Sequence, residues 1–344
     1  MALSDSRVWL SEHHSLLTPH CDPAGLTWCE HIVTGSSQGL GRALLEEILA
    51  NNERVVATLR NPAALAELGS KYPPEQLLVV PLDVSIPSQI HEAFERTKSH
   101  FGRLDVVVNN AGYGIMSEIE STPDEDARKA LEVMFWGPVN ITKEAIKFMR
   151  DVNPPGHGGR VLNVSSVGGY SANQTLAFYH AAKFGMSLIK KYCLSLTECE
   201  FPIIALEGFT ESFTKEMLPE WNIKGVIIEP GGFRTAWPTD SMIRLPSLPQ
   251  YKVPHSPSSI MQRAREAHKF IGDPSRAAKA MMQVASMEDP PLRIQFGTDS
   301  VLLVRNKALK TIKDGERFEE LSVSTDADDV DQSKVMEMFA FANT

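Results

Sequence analysis

The chain has 344 residues, 42% of them hydrophobic, and a formal net charge of −9 from 34 basic and 43 acidic side chains. This is enough material for one large α/β domain or two smaller ones with a sizeable core. The chain has no cluster of Lys and Arg and no apolar run of about eighteen residues, which argues against a nucleic-acid partner and a membrane span. No secretory signal is recognisable at residues 1–14, so a cytoplasmic protein is expected.

From residue 33 onward, short apolar runs alternate with amphipathic stretches. Strands are predicted at 54–59, 77–82, 104–109, 160–165, 224–229 and 292–296, and helices at 40–50, 62–68, 87–101, 123–149, around Tyr179 and at 274–287. This alternation is typical of βαβ units and a buried parallel sheet. We therefore expect a Rossmann-like, doubly wound α/β fold of about seven strands in a single domain, residues 1–323. Residues 324–344 are expected to form a frayed acidic tail.

A glycine-rich turn, T-G-S-S-Q-G-L-G at residues 34–41, follows an apolar run and opens a predicted helix. A bound phosphate needs close backbone approach and free N–H donors at a helix N-terminus. Gly35 would allow the tight turn, Gly39 the approach of a pyrophosphate, and Gly41 the packing of helix against strand. Such a triplet also occurs in ordinary turns, but the strand–turn–helix context favours a dinucleotide site.

The ends of the next two strands bear on the choice of cofactor. An acidic side chain at the tip of the second strand would bind the ribose 2′-hydroxyl of NAD, but that position is Leu59. Arg60 follows, and a guanidinium suits the 2′-phosphate of NADP, although a solvated residue at a helix start is the alternative. Asp83 would accept from the adenine amino group or belong to the cap of the next helix.

Tyr179 and Lys183 occur in Y-H-A-A-K, four residues apart and therefore on one face of a helix. A free Tyr has a pKa of about 10, too high for easy proton exchange at neutral pH. A Lys ammonium beside it, with an oxidised nicotinamide, would lower that pKa. Ser166, thirteen residues before Tyr179, follows a predicted strand and can hydrogen-bond a reacting carbonyl oxygen.

Five motifs occur in order: the glycine turn, N-N-A-G at 109–112, N-V-S-S-V-G at 163–168, Y-H-A-A-K at 179–183 and E-P-G-G-F-R-T at 229–235. Over residues 33–300 the chain resembles the short-chain dehydrogenase/reductase superfamily, and more narrowly its hydroxysteroid- and retinol-dehydrogenase-like members. The resemblance implies an NADP(H)-dependent oxidoreductase that interconverts a carbonyl and an alcohol. It leaves a homodimer through the helix of Tyr179 and Lys183 open, and it calls for no metal.

The resemblance also assigns roles to residues. Tyr179 would be the proton donor, Lys183 would also hold the nicotinamide ribose, and Ser166 would orient the substrate. Asn109 would stabilise the strands. The implied cofactor-binding residues are Gly35, Ser37, Gln38, Gly39, Leu40, Arg60, Asp83, Asn110, Tyr179, Lys183, Pro230, Gly231, Phe233 and Thr235.

One position departs from the family pattern. An Asn is expected in the helix after N-N-A-G, whereas this chain reads E-V-M-F-W-G with Met134 in that place. The family Asn is thought to hold a water of the proton relay, partly through its backbone carbonyl, and a Met keeps the carbonyl but lacks the amide. Lowered activity is therefore expected. The alternative function is a catalytically impaired nucleotide-binding sensor or scaffold.

Two segments, 11–32 and 185–204, have no counterpart in the family pattern. Joining Leu10 to Val33 gives one apolar strand, and joining Phe184 to Ala205 gives one continuous amphipathic helix. All four cysteines lie in these segments. Retained intron sequence, family-specific elaborations and a zinc site are the three interpretations, and the cysteine and histidine spacing disfavours zinc. If residues 30 and 31 instead enter the first strand, burying their charge unpaired would be costly.

Residues 236–270 follow a predicted strand end and are rich in proline, so at least residues 236–260 cannot form a regular helix or a central strand. The segment is a surface loop or a lid over the substrate, and the lid is the expectation. Its apolar residues either pack onto the core or favour an apolar substrate such as a steroid, a retinoid or an acyl chain; they are Met242, Ile243, Leu245, Leu248 and Tyr251.

Overall fold

A computed structural model of the protein describes residues 29–184, 206–267, 269–331 and 334. Its strands are β1 (Glu30–Thr34), β2 (Arg54–Leu59), β3 (Leu77–Pro81), β4 (Val106–Asn109), β5 (Gly114–Met116), β6 (Gly159–Val164), β7 (Ile223–Pro230), β8 (Met242–Arg244) and β9 (Arg293–Phe296). Seven of them form one parallel sheet in the order β3-β2-β1-β4-β6-β7-β9, and β5 pairs with β8 in a small second sheet. The predicted seven-stranded, doubly wound fold is confirmed.

The helices are α1 (Gly39–Ala50), α2 (Ala66–Lys71), α3 (Pro87–Phe101), α4 (Asp124–Leu131), α5 (Gly137–Asp151), α6 (Ala177–Lys183), α7 (Leu206–Glu216), α8 (Pro257–Ala267), α9 (Pro274–Ser286), α10 (Thr298–Arg317) and α11 (Glu319–Val323). Helices α8, α10 and α11 were not predicted from the sequence. The expectation that no regular helix forms within 236–260 is wrong for 257–260, because Pro257 begins α8 and a proline is tolerated at the first helical position. The helix predicted at 123–149 is divided by a π-helical turn, Glu132–Trp136, in which the Gly137 N–H donates to the Glu132 carbonyl. None of the helices in the described ranges is long and apolar enough to cross a membrane.

The sheet is buried on both faces because alternate side chains of each strand point to opposite sides. In β2, Val55 and Ala57 belong to the core beneath α1 and α9, whereas Val56 belongs to the core beneath α3, α5 and α7. Fully burying one such side chain contributes about 1.5–3 kcal/mol. The hydrophobic layers therefore explain why the strands read as unbroken apolar runs.

The strand order reverses between β1 and β4: from β1 the chain builds outward through β2 and β3, then returns to place β4 on the other side. In an open parallel sheet, ligands bind in the crevice outside the carboxyl ends of the strands at such a switch point. The glycine turn after β1 and the N-N-A-G stretch after β4 lie at this crevice.

The two charged residues at the start of β1 are buried, and both have partners. Glu30 Oε1 lies 3.0 Å from Arg54 Nη1, and its Oε2 lies 3.7 Å from Arg103 Nε. His31 pairs with Glu53. The expected cost of burying unpaired charge at residues 30 and 31 is therefore avoided, and both residues enter β1. The origin of segments 11–32 and 185–204 stays a hypothesis; nearly all of both lies outside the described residues.

The buried carboxylate of Asp105 should be a main contributor to stability at this end of the sheet. It contacts His157 Nε2 at 2.6 Å and Arg103 Nε at 3.0 Å, and it accepts from the Glu30 N–H at 2.8 Å. We expect Asp105→Asn to lower the free energy of unfolding by about 2–4 kcal/mol, because it leaves buried donors poorly paired. Urea unfolding at pH 7 measures the effect, with exposed Asp151→Asn as the control.

The same variant should reveal the titration of Asp105. Burial raises the pKa of this carboxyl, but His157, Arg103 and the Glu30 N–H outweigh it and leave the pKa below 3.8. A carboxyl whose pKa is lower in the folded than in the unfolded state stabilises the protein at pH values above its unfolded-state pKa. This stabilisation is lost as the pH falls through the folded-state pKa. The difference between wild type and variant should therefore shrink below pH 4; a constant difference would contradict the assignment.

Candidate functional site

The predicted catalytic residues and the predicted cofactor-binding residues all line one cavity of about 1180 Å³ at the carboxyl ends of the strands, whereas Gly41 and Asn109 lie behind its wall. The cavity is bounded by the glycine turn, the ends of β2 and β3, the N-N-A-G stretch, the ends of β6 and β7, and residues of the 236–270 segment. The structure thus brings together residues from positions 35 to 235 of the chain.

The glycine turn is shaped by close backbone contacts. Gly35 has φ +68°, a conformation that other residues rarely adopt. A Cβ on Gly41 would lie 2.3 Å from Asn110 Nδ2 and 2.5 Å from the Gly35 carbonyl oxygen. Helix α1 begins at Gly39, its first turn carries no acidic residue, and the preceding Gln38 gives no side-chain cap. This N-terminus fits the pyrophosphate of a dinucleotide, because its amides and dipole favour an anion.

At the carboxyl ends of β2 and β3, the cavity wall combines a cation with an anion. Arg60 is exposed directly after β2, and Leu59 before it is buried. Asp83 Oδ1 accepts from the Ser85 N–H at 3.0 Å and from its hydroxyl at 2.6 Å. Burial raises the pKa of Asp83, but the Ser85 hydrogen bonds and the Arg60 charge lower it overall. The carboxylate is therefore ionised at neutral pH and acts only as a hydrogen-bond acceptor.

Tyr179, Lys183 and Ser166 meet at the other end of the cavity. Tyr179 and Lys183 both lie on α6, and Lys183 ends the helix with Nζ donating to the Val164 carbonyl at 2.8 Å. Burial lowers the pKa of Lys183 to about 8. Ser166 Oγ accepts from the Gly168 N–H at 2.9 Å, which leaves its hydroxyl proton available as a donor.

The neighbourhood of Tyr179 is apolar. Its ring lies 5.4 Å from the ring of Trp237, and it belongs to a buried cluster that includes Met134 and Met242. Met134 is fully buried in the π-helical turn. The thioether side chain of Met134 therefore lines the cavity at the position where the family pattern has a polar amide.

Sequence reasoning missed two side chains that shape this end of the cavity. Trp237 carries no motif signal beyond its place after F-R-T. His180 occupies a variable position of the Y-H-A-A-K motif: its Nε2 accepts from the Asn173 N–H at 2.9 Å, so Nδ1 carries the proton and donates to the Gly168 carbonyl at 2.8 Å. His180 therefore fixes the loop that follows Ser166.

Comparison with known proteins identifies the family. Residues 31–196 match the family model of the short chain dehydrogenases. An uncharacterised oxidoreductase of Schizosaccharomyces pombe is 34% identical over 309 residues, covering 90% of this chain and 96% of its own. The oxidoreductase calM of Penicillium decumbens is 33% identical over 313 residues, covering 88% and 94%.

A solved structure agrees. The crystal structure of a short-chain dehydrogenase from Streptomyces avermitilis superposes with a TM-score of 0.72 at 27% identity, covering 87% of this chain and 99% of that one. The chain belongs to the short-chain dehydrogenase family. It is an oxidoreductase of that family, whose members bind a nicotinamide cofactor.

The contact around Gly41 gives a direct test of the cofactor turn. We expect Gly41→Ala to weaken nicotinamide cofactor binding by roughly tenfold or more, about 1.4 kcal/mol, because the new Cβ must displace Asn110 or the Gly35 peptide. Fluorescence titration of the reduced cofactor measures the change. Gly69→Ala in α2, where an added Cβ meets nothing within 4 Å, is the control and should bind as wild type does; equal loss in both would contradict the assignment.

Proposed function

We propose that the protein is an NADP(H)-dependent oxidoreductase that interconverts a carbonyl and an alcohol, with Tyr179 handling the proton, in the cytoplasm. The observation that carries this proposal is the meeting of Tyr179, Lys183 and Ser166 with the glycine turn in one cavity. When bound, the nicotinamide supplies or accepts a hydride at its C4 carbon.

The protein's own groups account for the proton and the orientation of the substrate. The Ser166 hydroxyl donates to the reacting oxygen and fixes it beside the phenol of Tyr179. The Tyr179 hydroxyl gives its proton to that oxygen in reduction and takes it back in oxidation. Lys183, with a pKa of about 8, is mainly protonated at neutral pH. Its positive charge favours the phenolate form of Tyr179.

NADP(H) is the favoured cofactor because of the end of β2. The side chain of Leu59 offers no acceptor to a ribose 2′-hydroxyl, whereas the exposed Arg60 forms no salt bridge with a described residue and lines the cavity. A guanidinium binds a 2′-phosphate through charge-assisted hydrogen bonds. Asp83, beside it, would accept from the adenine.

An apolar substrate fits the end of the cavity near Tyr179. Trp237 and Ile243, from the 236–270 segment, line the cavity there together with Met134, and Met261 of α8 closes it further along. We assign the segment as a lid. It is held by the β5–β8 pairing and by two hydrogen bonds, Ser247 Oγ to Glu118 Oε1 at 2.8 Å and the Tyr251 hydroxyl to Glu120 Oε1 at 2.6 Å.

The alternative, a nucleotide-binding sensor or scaffold with impaired catalysis, is favoured by Met134. Its thioether cannot replace the amide that the family pattern has at this position, although the backbone carbonyl is retained. Turnover of NADPH with a panel of ketones and aldehydes separates the two functions, because a sensor would bind NADPH without consuming it.

Tyr179→Phe tests the proton step. Removing the phenolic oxygen should lower kcat by about 10²- to 10⁴-fold, because the reacting oxygen loses its proton donor. NADPH binding should change by less than about threefold, or 0.65 kcal/mol, because the ring remains against Trp237. Tyr72→Phe, at the end of α2, is the control. Undiminished turnover in Tyr179→Phe would rule out its role.

Arg60→Gln tests the cofactor preference. We expect its Kd for NADPH to rise by roughly tenfold, about 1.4 kcal/mol, while its Kd for NADH stays unchanged, because only NADPH carries the 2′-phosphate. Titration of both cofactors, with the exposed Arg305→Gln of α10 as a control for net charge, provides the measurement. Wild-type protein that binds NADH as tightly as NADPH would contradict the preference.

A further inference from the structure

Three acidic side chains surround one arginine beside the active cavity, and the proposed mechanism uses none of them. Glu207 of α7 is 2% exposed and Glu229 of β7 is fully buried. Arg293 of β9 places Nη1 3.3 Å from Glu207 Oε2 and 3.7 Å from Glu229 Oε1, and Nη2 3.0 Å from Glu211 Oε2. Glu211 is partly exposed and also pairs with Lys215. However, Glu207 and Glu229, if both ionised, would exceed the single charge of Arg293 and leave uncompensated negative charge in a buried place.

The hydrogen bonds indicate where a proton resides. Glu229 Oε2 accepts from Gln295 Nε2 at 2.6 Å, whereas its buried Oε1 accepts from no N–H or O–H donor in the described ranges. Glu207 Oε2 and Glu229 Oε1 lie against the same nitrogen, Nη1 of Arg293, at 3.3 and 3.7 Å, which brings the two carboxyls together. Two carboxylates in contact repel, but a proton on one of them turns the contact into a hydrogen bond.

The electrostatics agree with this geometry. Burial, followed by the negative charge of Glu229, raises the pKa of Glu207 to about 8, although Ser165 and Arg293 act in the opposite direction. The pair therefore holds a proton at neutral pH.

The acid pair touches the active site from behind. Ser165 Oγ donates to Glu207 Oε1 at 2.5 Å, and Ser165 is the residue before Ser166. An added Cβ on Gly169 would lie 2.0 Å from Glu207 Oε1, so the loop after Ser166 packs directly on this carboxyl. The charge of Glu207 also reaches Lys183, whose pKa it raises against the effect of burial.

We propose, on the basis of the function proposed above, that Glu207 and Glu229 share one buried proton and that Glu207 is a positioning residue whose ionisation sustains the positive charge of Lys183 in alkaline solution. Below neutrality Glu207 is uncharged and Lys183 is protonated by the solvent. As pH rises, Glu207 loses its proton, and its negative charge then favours the ammonium form of Lys183. Catalysis that depends on that ammonium consequently persists to higher pH.

The polar and charged groups that surround Glu207 and Glu229 come from five elements. Ser165 follows β6, Lys183 lies on α6, Glu211 on α7, and Arg293 and Gln295 lie on β9. Asp299 of α10 lies nearby, against Gly231 and Gly232 after β7, and its Oδ2 accepts from the Gly232 N–H. Of these groups, Lys183 has a pKa close to that of Glu207, and both are about 8.

Two amide variants should shift the pKa of Lys183 in opposite directions. Glu207→Gln keeps an acceptor for Ser165 and gains a donor toward Glu229, although its NH2 group replaces the oxygen that accepts from Arg293 Nη1. This variant can never ionise. The pKa of Lys183 should therefore fall by roughly 0.5–1 unit. Glu229→Gln removes the repelling charge, so Glu207 ionises at lower pH and the pKa of Lys183 should rise. Glu216→Gln, on the exposed side of α7, is the matched control and should leave it unchanged.

The experiment is an NMR titration of lysine labelled with ¹³C at Cε in the full-length protein without cofactor, with the Lys183 signal assigned from Lys183→Arg. Opposite shifts in the two variants, with wild-type thermal unfolding temperatures at pH 7, support the proposal. Equal or absent shifts overturn it, and this reading does not depend on turnover. Where turnover is measured, the alkaline limb of kcat/KM should move with Lys183 in each variant. If the pKa of Lys183 shifts but the alkaline limb of kcat/KM does not, the proposed effect of Glu207 on catalysis is overturned. If the wild-type protein shows no turnover, only the proposed function is contradicted.

Discussion

The hydrogen bonds of Thr34 hold together the two strands on which the whole site depends. Its hydroxyl donates to the Val108 carbonyl at 3.2 Å and accepts from the Asn110 and Ala111 N–H groups at 2.9 and 3.0 Å, while Asn110 Nδ2 returns a bond to the Thr34 carbonyl at 2.9 Å. Strands β1 and β4 meet where the strand order reverses, and their ends must diverge to open the crevice. Because Thr34 and Asn110 tie the ends across this gap, the glycine turn keeps its shape.

Most buried polar side chains inside the sheet also have a partner, although Asn109 Oδ1 and Glu229 Oε1 have no hydrogen-bond partner among the described residues. In the middle, Asn109 Nδ2 donates to Asn163 Oδ1 at 2.8 Å, and Asn163 donates to Thr210 at 2.8 Å, which links β4, β6 and α7. At the amino end, Asp105 and Glu30 are paired with cations. Near the carboxyl end, the acids outnumber the arginine, and a proton makes up the difference. The buried carboxylates at the amino end of the sheet are thus matched by cations, whereas those beside the cavity are not.

Much of the fold followed from the sequence because the central strands are short, Val-rich and separated by amphipathic helices. The bounds of β2 and α3 were predicted to the residue, and the predicted site residues all reach one cavity.

Most of the features that the sequence did not predict have physical causes. The π-helical turn at Glu132–Trp136 depends on one shifted backbone hydrogen bond, which leaves no mark on hydrophobic periodicity. Helix α10 carries apolar residues at helical spacing, among them Val301, Leu309 and Ile312, so the sequence contained a signal that the prediction overlooked, although most of the helix is exposed. Trp237 reaches Tyr179 only through the tertiary path of the segment after β7.

Glu207 illustrates how packing can restore a relation that the chain interrupts. Joined across segment 185–204, Lys183 and Glu207 would lie four positions apart on one helix and interact directly. In the chain they are twenty-four positions apart; α6 ends at Lys183, and Phe184 is already extended. Yet α6 contacts α7, and the charge of Glu207 still acts on Lys183. What preserves the relation is the sheet: Val164 holds the lysine and Ser165, the next residue, holds the glutamate. Two consecutive residues at the end of one strand therefore fix the distance between the two charges, whatever the intervening segment does.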